Sequence, residues 1–233
     1  MKTLLKILVV LFSIVLFSSC KAYQHVRLSS NIPLTSQSEF LVENDSIRVI
    51  YSFYGKGGPI HMEIFNKLNT PFSVDWSKSA LIKDGQSYSL WKDEARINGT
   101  ATGYNIIPQN EIINSVSNIE GEIVKKDKVT FIPPQSKIVF NSYTVQGKLL
   151  DTPEQGGEKT VFYTLNGKRR AMKYSFSKED SPLNFRIFLS FSADESSRAP
   201  FQIDNTFWVS DYFTSNTSPA ALGIYPGNQF YNW

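Results

Sequence analysis

The chain has one cysteine and two histidines in 233 residues, and its charges nearly balance. A single cysteine, Cys20, excludes an intramolecular disulfide framework and any cysteine-rich zinc site. His25 and His61 are too few for a histidine metal cluster, and no H-E-x-x-H spacing occurs. The 24 Lys and Arg against 21 Asp and Glu give a formal charge of +3. The only close basic groupings, Lys125-Lys126 and Lys168-Arg169-Arg170, read as solvated turn or strand residues, so a nucleic-acid partner is not expected. Beyond the first twenty residues there is no long hydrophobic run and no apolar stripe at helical spacing. What remains is length enough for a hydrophobic core and a 14% aromatic content.

The N-terminus, MKTLLKILVVLFSIVLFSSC, has the three-part layout of a secretory signal peptide. Lys2 and Lys6 precede an apolar core that is too short to span a bilayer comfortably, and Ser18 and Ser19 supply small residues at its end. Phe17-Ser18-Ser19-Cys20 resembles the lipobox of bacterial lipoproteins, with Phe17 where Leu is usual. The resemblance implies that Cys20 becomes the mature N-terminus and carries a diacylglyceryl group and an amide-linked acyl chain. Two or more chains anchor a protein stably, whereas one does so only marginally. Loss of residues 1–19 leaves 22 basic and 21 acidic side chains on 214 residues, a net charge of about +1.

Residues 20–38 read as a polar tether with a short edge strand at Tyr23 to Leu28. After it, apolar residues recur at every second position, the period of a strand with one buried face. Ile47, Val49, Tyr51 and Phe53 do so first, and Ile60, Met62 and Ile64 resume the pattern beyond Gly55-Lys56-Gly57-Gly58-Pro59. Asp84-Gly85 and Asn166-Gly167 are hairpin signals, and Pro133-Pro134 is excluded from a central strand. Leu183, Phe185, Ile187, Leu189 and Phe191 give the longest alternation. About nine or ten closely spaced strands point to an all-β, antiparallel β-sandwich. It is expected over residues 39–213, with a polar stretch near 92–128 as a long insertion or a linker and an aromatic tail at 214–233.

Several stretches carry a family resemblance: Glu43-Asn44-Asp45-Ser46, Ile64-Phe65-Asn66-Lys67, Val74-Asp75-Trp76-Ser77-Lys78-Ser79 and Ile132-Pro133-Pro134-Gln135-Ser136. Together they resemble a group of uncharacterised outer-membrane lipoproteins of Bacteroidetes-type envelopes. The resemblance implies an immunoglobulin-like β-sandwich, lipid-anchored in the bacterial cell envelope on the periplasmic or the surface side. It lends no catalytic residues. Cys20 is followed by Lys21-Ala22-Tyr23-Gln24, without the acidic residues often found there in surface-displayed members.

No constellation assembles catalytic roles, and neither a cofactor nor a metal is expected. Gly55-x-Gly57-Gly58 lacks the following helix that a phosphate loop needs, so it reads as a hairpin turn. His61 and Glu63 share one strand face without a nucleophile elbow, which suits a solvent-facing histidine. Asp93 and Glu94 are adjacent, whereas glycosidase carboxylates flank a bond ~5–9 Å apart. Trp76 and Trp208 fall in strand patterns and read as core or half-buried. Trp91, Tyr231 and Trp233 are the candidate ligand-binding residues, with a glycan or protein as the partner, and docking of the aromatic tail on the sandwich is the expected alternative. The expected role is a non-catalytic interaction or structural module held to the membrane by its lipid anchor, or else a glycan-binding envelope lipoprotein.

Overall fold

A computed structural model describes residues 22–92, 95–106, 114–125, 127–193 and 200–233, with 95–106 and 114–125 described as backbone. The expected signal segment and Cys20, and with them Asp93, Glu94 and Lys126, lie outside the described residues. The strands begin with β1 (Tyr23–Ser30), β2 (Phe40–Glu43), β3 (Ile47–Ser52), β4 (Pro59–Asn66), β5 (Phe72–Asp75) and β6 (Ala80–Lys83). Next come β7 (Gln86–Ser89), β8 (Ala95–Ile106), β9 (Asn114–Lys125), β10 (Val129–Ile132) and β11 (Lys137–Thr144). The last are β12 (Glu158–Thr164), β13 (Gly167–Ser175), β14 (Asn184–Ala193), β15 (Phe201–Ser215) and β16 (Gln229–Asn232). Short 3₁₀ turns occupy Trp76–Lys78 and Pro219–Leu222. Among the described residues no helix is long and apolar enough to cross a membrane.

The strands form an antiparallel β-sandwich. One layer is a four-stranded sheet in the order β11-β4-β3-β2. The other has ten strands, with β10-β5-β14-β15-β1-β16 as its main path and β6, β7, β12 and β13 joined at its flanks. Its spine is the 15-residue β15. Along one edge β15 pairs first with β14 and then with β13, and along the other it pairs with β1. An extra residue, Ser210, sits opposite the Arg27/Leu28 step. This bulge shifts the phase of β15, so that Phe207 and Val209 before it and Tyr212 after it all face the core.

Both layers alternate as the sequence does. In β3, Ile47, Val49 and Tyr51 are buried while Arg48, Ile50 and Ser52 face outward. Leu183, Phe185, Ile187, Leu189 and Phe191 supply the opposing face. Phe207 is the centre of the packing, with ring centroids 5.2 Å from Phe40, 5.4 Å from Tyr51, 5.1 Å from Phe53 and 5.2 Å from Phe185. Three of these contacts are edge-to-face, the arrangement that ring quadrupoles favour. The Tyr51 hydroxyl crosses between the layers and donates to Asn205 Oδ1 at 2.9 Å. Burial raises the Tyr51 pKa, aided by the Asp204 charge, so the phenol stays a neutral donor.

Buried amides fasten the loops. Asn66 Nδ2 lies within hydrogen-bonding distance of the carbonyls of Thr70, Ile132 and Pro133, and its Oδ1 accepts from the Leu68 amide. It therefore joins the β4–β5 turn to the end of β10. Gln24 bonds both backbone groups of Leu150, and Asn232 donates to the Lys148 carbonyl. The segment after β11 is thereby held on β1 and β16.

Several boundaries differ from those expected from the sequence. Residues 23–30 of the expected tether form an interior strand rather than an edge strand, flanked by β15 and β16. The alternation there is masked because the buried Gln24 is polar and is satisfied only by the distant Leu150 backbone. The sandwich thus extends on both sides of 39–213, since the end of the 214–233 tail docks as β16 on β1. Within 92–128, residues 95–106 and 114–125 pair as β8 and β9 through twelve residues each, so these two segments form an antiparallel β-ribbon. Asp84 and Gly85 turn the β6–β7 hairpin with positive φ at both positions, as a type I′ turn requires. The second hairpin is shifted by one residue: Thr164 pairs with Gly167, so Leu165 and Asn166 make the turn and Gly167 opens β13. There are sixteen strands among the described residues rather than nine or ten, the surplus being mostly short or polar.

Candidate functional site

The three candidate ligand residues fall into two separate clusters. Trp91 lines an open depression of about 400 Å³ with Trp76, Asp127, Thr130, Phe140 and Asn141. The Asp75 carboxylate accepts from the Ser77 and Lys78 amides and so shapes the Trp76–Lys78 turn. That turn lays Trp76 on Phe140 with centroids 4.2 Å apart, and its indole N–H donates to Thr130 Oγ1 at 2.8 Å. Trp76 is therefore committed to the fold. Trp91 is half-buried against the core, with the Lys128 ammonium 6.0 Å from its ring. Burial pushes Asp75 up, but hydrogen bonds from Ser77 and Lys78 outweigh it and hold the carboxyl below its ordinary value.

Tyr231 and Trp233 belong to a second cluster at the β1/β16 edge. Antiparallel pairing puts Gln24 opposite Asn232 and His25 opposite Tyr231, which brings the neighbouring Tyr23 and Trp233 rings to 5.6 Å. Tyr231 stacks on Trp233, and the Lys56 ammonium lies 3.7 Å from the Trp233 ring. Tyr54 meets both Tyr231 and Tyr225 edge-on. Burial raises the Tyr54 pKa, with the Tyr231 and Tyr225 hydroxyls adding to it. On the other side His25 stacks on Phe213 at 4.8 Å, and Phe213 meets Phe162 of β12 at 4.7 Å. An aromatic row therefore runs from Tyr225 and Tyr54 beside β16, through Tyr231, Trp233, Tyr23, His25 and Phe213, to Phe162 of β12.

The glycine loop supports this cluster by close backbone approach. Gly57 N–H donates to the Tyr231 carbonyl at 2.9 Å, and Tyr231 N–H donates to the Gly55 carbonyl at 3.1 Å. Gly58 has φ +66°, and a Cβ there would lie 2.7 Å from Val145 Cγ2. The loop is a hairpin connection between β3 and β4.

Both histidines have hydrogen-bond partners. His25 is buried, not part of a tether, and its Nε2–H donates to the Thr217 carbonyl at 3.0 Å. Burial lowers its pKa and so favours the neutral ring, against the opposing pull of that hydrogen bond. His61 is exposed and donates from Nδ1 to Asn141 Oδ1, while Glu63 pairs with Lys137 at 2.7 Å. Among the described residues no three His, Cys, Asp or Glu side chains are grouped as metal ligands. Trp208 is half-buried on β15 with Lys178 5.8 Å from its ring. A larger depression, about 630 Å³, lies between the β12–β13 hairpin and residues 214–221 and is lined by Phe162, Arg169, Arg170, Thr214, Asn216 and Thr217.

Sequence reasoning found the tail but missed Tyr23, Tyr54 and Lys56, which complete its cluster. A signal existed in β1, where Gln24, Val26 and Leu28 alternate inward and Tyr23, His25 and Arg27 face away.

In class the protein is an all-β antiparallel sandwich with aromatic surface clusters. No protein-family model, curated protein or solved structure matches the chain.

Proposed function

We propose that this is a lipid-anchored protein of the bacterial cell envelope, held on the outer membrane through Cys20, whose sandwich is a non-catalytic interaction or structural module. The observation that carries the reading is the position of Cys20 after a signal-like segment and three residues ahead of β1. A chain that enters an interior strand so soon after a lipobox-like cysteine suits attachment of a folded domain directly at a membrane. The family resemblance to Bacteroidetes-type lipoproteins supports the same reading. Mass spectrometry of the mature N-terminus tests it: a triacylated Cys20 is expected, and an unmodified Cys20 on an intact chain of 233 residues overturns it. A hydrolytic activity abolished by replacing His61 or Asp93 would remove the non-catalytic part.

A glycan-binding lipoprotein is the second reading, favoured by the depression that sets Trp91 beside Asp127 and Asn141. Aromatic faces next to hydrogen-bonding groups suit the apolar and hydroxyl-bearing faces of a sugar. On this reading Trp91→Ala abolishes binding on a glycan array and truncation of the tail does not. Equal binding by wild type and Trp91→Ala discards it.

A further inference from the structure

We infer that the end of the large sheet from which β1 starts is a membrane-docking face, seated on an anionic lipid surface by the Tyr23–Trp233 cluster and by the β12–β13 hairpin. The inference rests on the proposed acylation of Cys20 and adds an orientation to it.

Reach comes first. Cys20 precedes Tyr23 by three residues, and three residues span at most about 11 Å. An acylated Cys20 therefore holds Tyr23 within that distance of the headgroups. Trp233 adjoins Tyr23, is 43% exposed, and has Lys56 at its ring. Tyrosine and tryptophan, apolar in body and polar at the tip, concentrate where hydrocarbon meets water, and lysine stems extend along such a surface with the ammonium at the phosphates.

The hairpin reaches the same end. β13 pairs with β15 only from Met172 to Ser175, the last pair being Met172 with Thr214, while Tyr23 pairs with Ser215. Gly167 to Ala171 and their β12 partners thus run on past the point where β1 begins. On the face of this extension turned away from Phe162, Val161, Tyr163 and Leu165 are 52%, 68% and 74% exposed, so the hairpin and the Trp233 cluster meet the surface from opposite faces of the same sheet end. Val161 lies opposite Arg170, and Tyr163 lies opposite Lys168, whose ammonium is 5.5 Å from the Tyr163 ring. Lys159, Lys168, Arg169, Arg170 and Lys173 accompany a single acidic residue, Glu158, on the two strands. Large exposed apolar side chains alternating with cations, at the end nearest the anchoring cysteine, match a surface that is both greasy and anionic.

The test uses the full chain purified from envelopes and reconstituted in vesicles of phosphatidylethanolamine and phosphatidylglycerol with brominated acyl chains. Bromine quenches tryptophan that reaches the acyl boundary. Quenching is expected in the wild type and lost in Trp233→Phe. In that background Tyr163→Trp restores it, reporting on the hairpin. Replacing Lys168, Arg169 and Arg170 with glutamine is expected to lower the docked-to-undocked ratio of the hairpin about 100-fold, and phosphatidylcholine vesicles to act in the same direction. An acylated protein whose Trp233 and Tyr163→Trp signals are untouched by bromine overturns the docking face and leaves the anchor standing. Protection of these residues by a second copy or another protein, with no quenching, overturns it equally. An unmodified Cys20 removes the anchor and this inference together.

Discussion

β14 and β12 are two strands of one sheet with the same alternating pattern and opposite fates. In β14, Phe185, Ile187, Leu189 and Phe191 point at the facing sheet and are almost wholly buried. In β12 and its turn, Val161, Tyr163 and Leu165 alternate just as regularly and stand mostly in solvent. The four-stranded layer is narrower than the ten-stranded one, and the hairpin extends past the end of the β15 ladder. A period of two says that a strand has two unlike faces. It does not say that anything covers the apolar one.

The comparison would break first at Phe207. Replacement by alanine empties the meeting point of four aromatic rings and should cost about 3–5 kcal/mol in chemical denaturation. A cost below about 1 kcal/mol would mean that the sheets do not interlock there. Asn66→Ala ranks second, because it strands a buried set of backbone groups around the β4–β5 turn, and about 2–3 kcal/mol is expected. The same substitution measured for Gln135, an exposed amide near that turn, is the control.

Asp75→Ala is worth about 1 kcal/mol at neutral pH through the lost turn cap. Because the folded carboxyl titrates below its ordinary value, its contribution is present above about pH 4 and disappears as pH falls through the folded pKa. In Asp75→Ala that part of the acid limb should flatten. His25 acts in a higher window. Its pKa is lowered in the fold, so the unfolded chain takes up the proton first, and stability falls as pH drops below about 6.5. His25→Phe, which keeps a ring beside Phe213, should remove the slope just below pH 6.5; an unchanged slope would show that the imidazole is not held neutral. Smallest of all is Tyr163→Ala on the hairpin, within about 0.5 kcal/mol, since its ring has little burial to lose.

Legibility of the fold depended on where hydrogen bonds close. Strands such as β3, β4 and β14 announce themselves because apolar side chains need no partner beyond the opposite layer. β1 does not, because Gln24 and His25 look like solvated residues until Leu150 and Thr217 arrive to satisfy them. The hairpin at Asn166-Gly167 was visible, yet its turn moved by one residue. Thr164 Oγ1 donates to the Gly167 carbonyl and accepts from the Asn166 amide, local bonds that suit Leu165-Asn166 as the corner. Of the candidate site, the tail aromatics were legible as an unusual cluster of rings near the C-terminus. Their partners were not, because Tyr23, Tyr54 and Lys56 join them only across strands.

The amino-acid sequence alone determined that this is a β protein with unlike strand faces, few reactive side chains and a signal-like segment ending at the single cysteine. Composition and period are local properties, set by sterics and by which side chains water rejects. Tertiary structure decided that the segment after the cysteine is an interior strand and not a tether. It also decided that β1 and β16 pair side by side and that the apolar face of one alternating hairpin stands exposed. Those outcomes depend on pairings between residues as distant as Tyr23 and Trp233 and on the unequal extents of two sheets, neither of which any window of sequence contains.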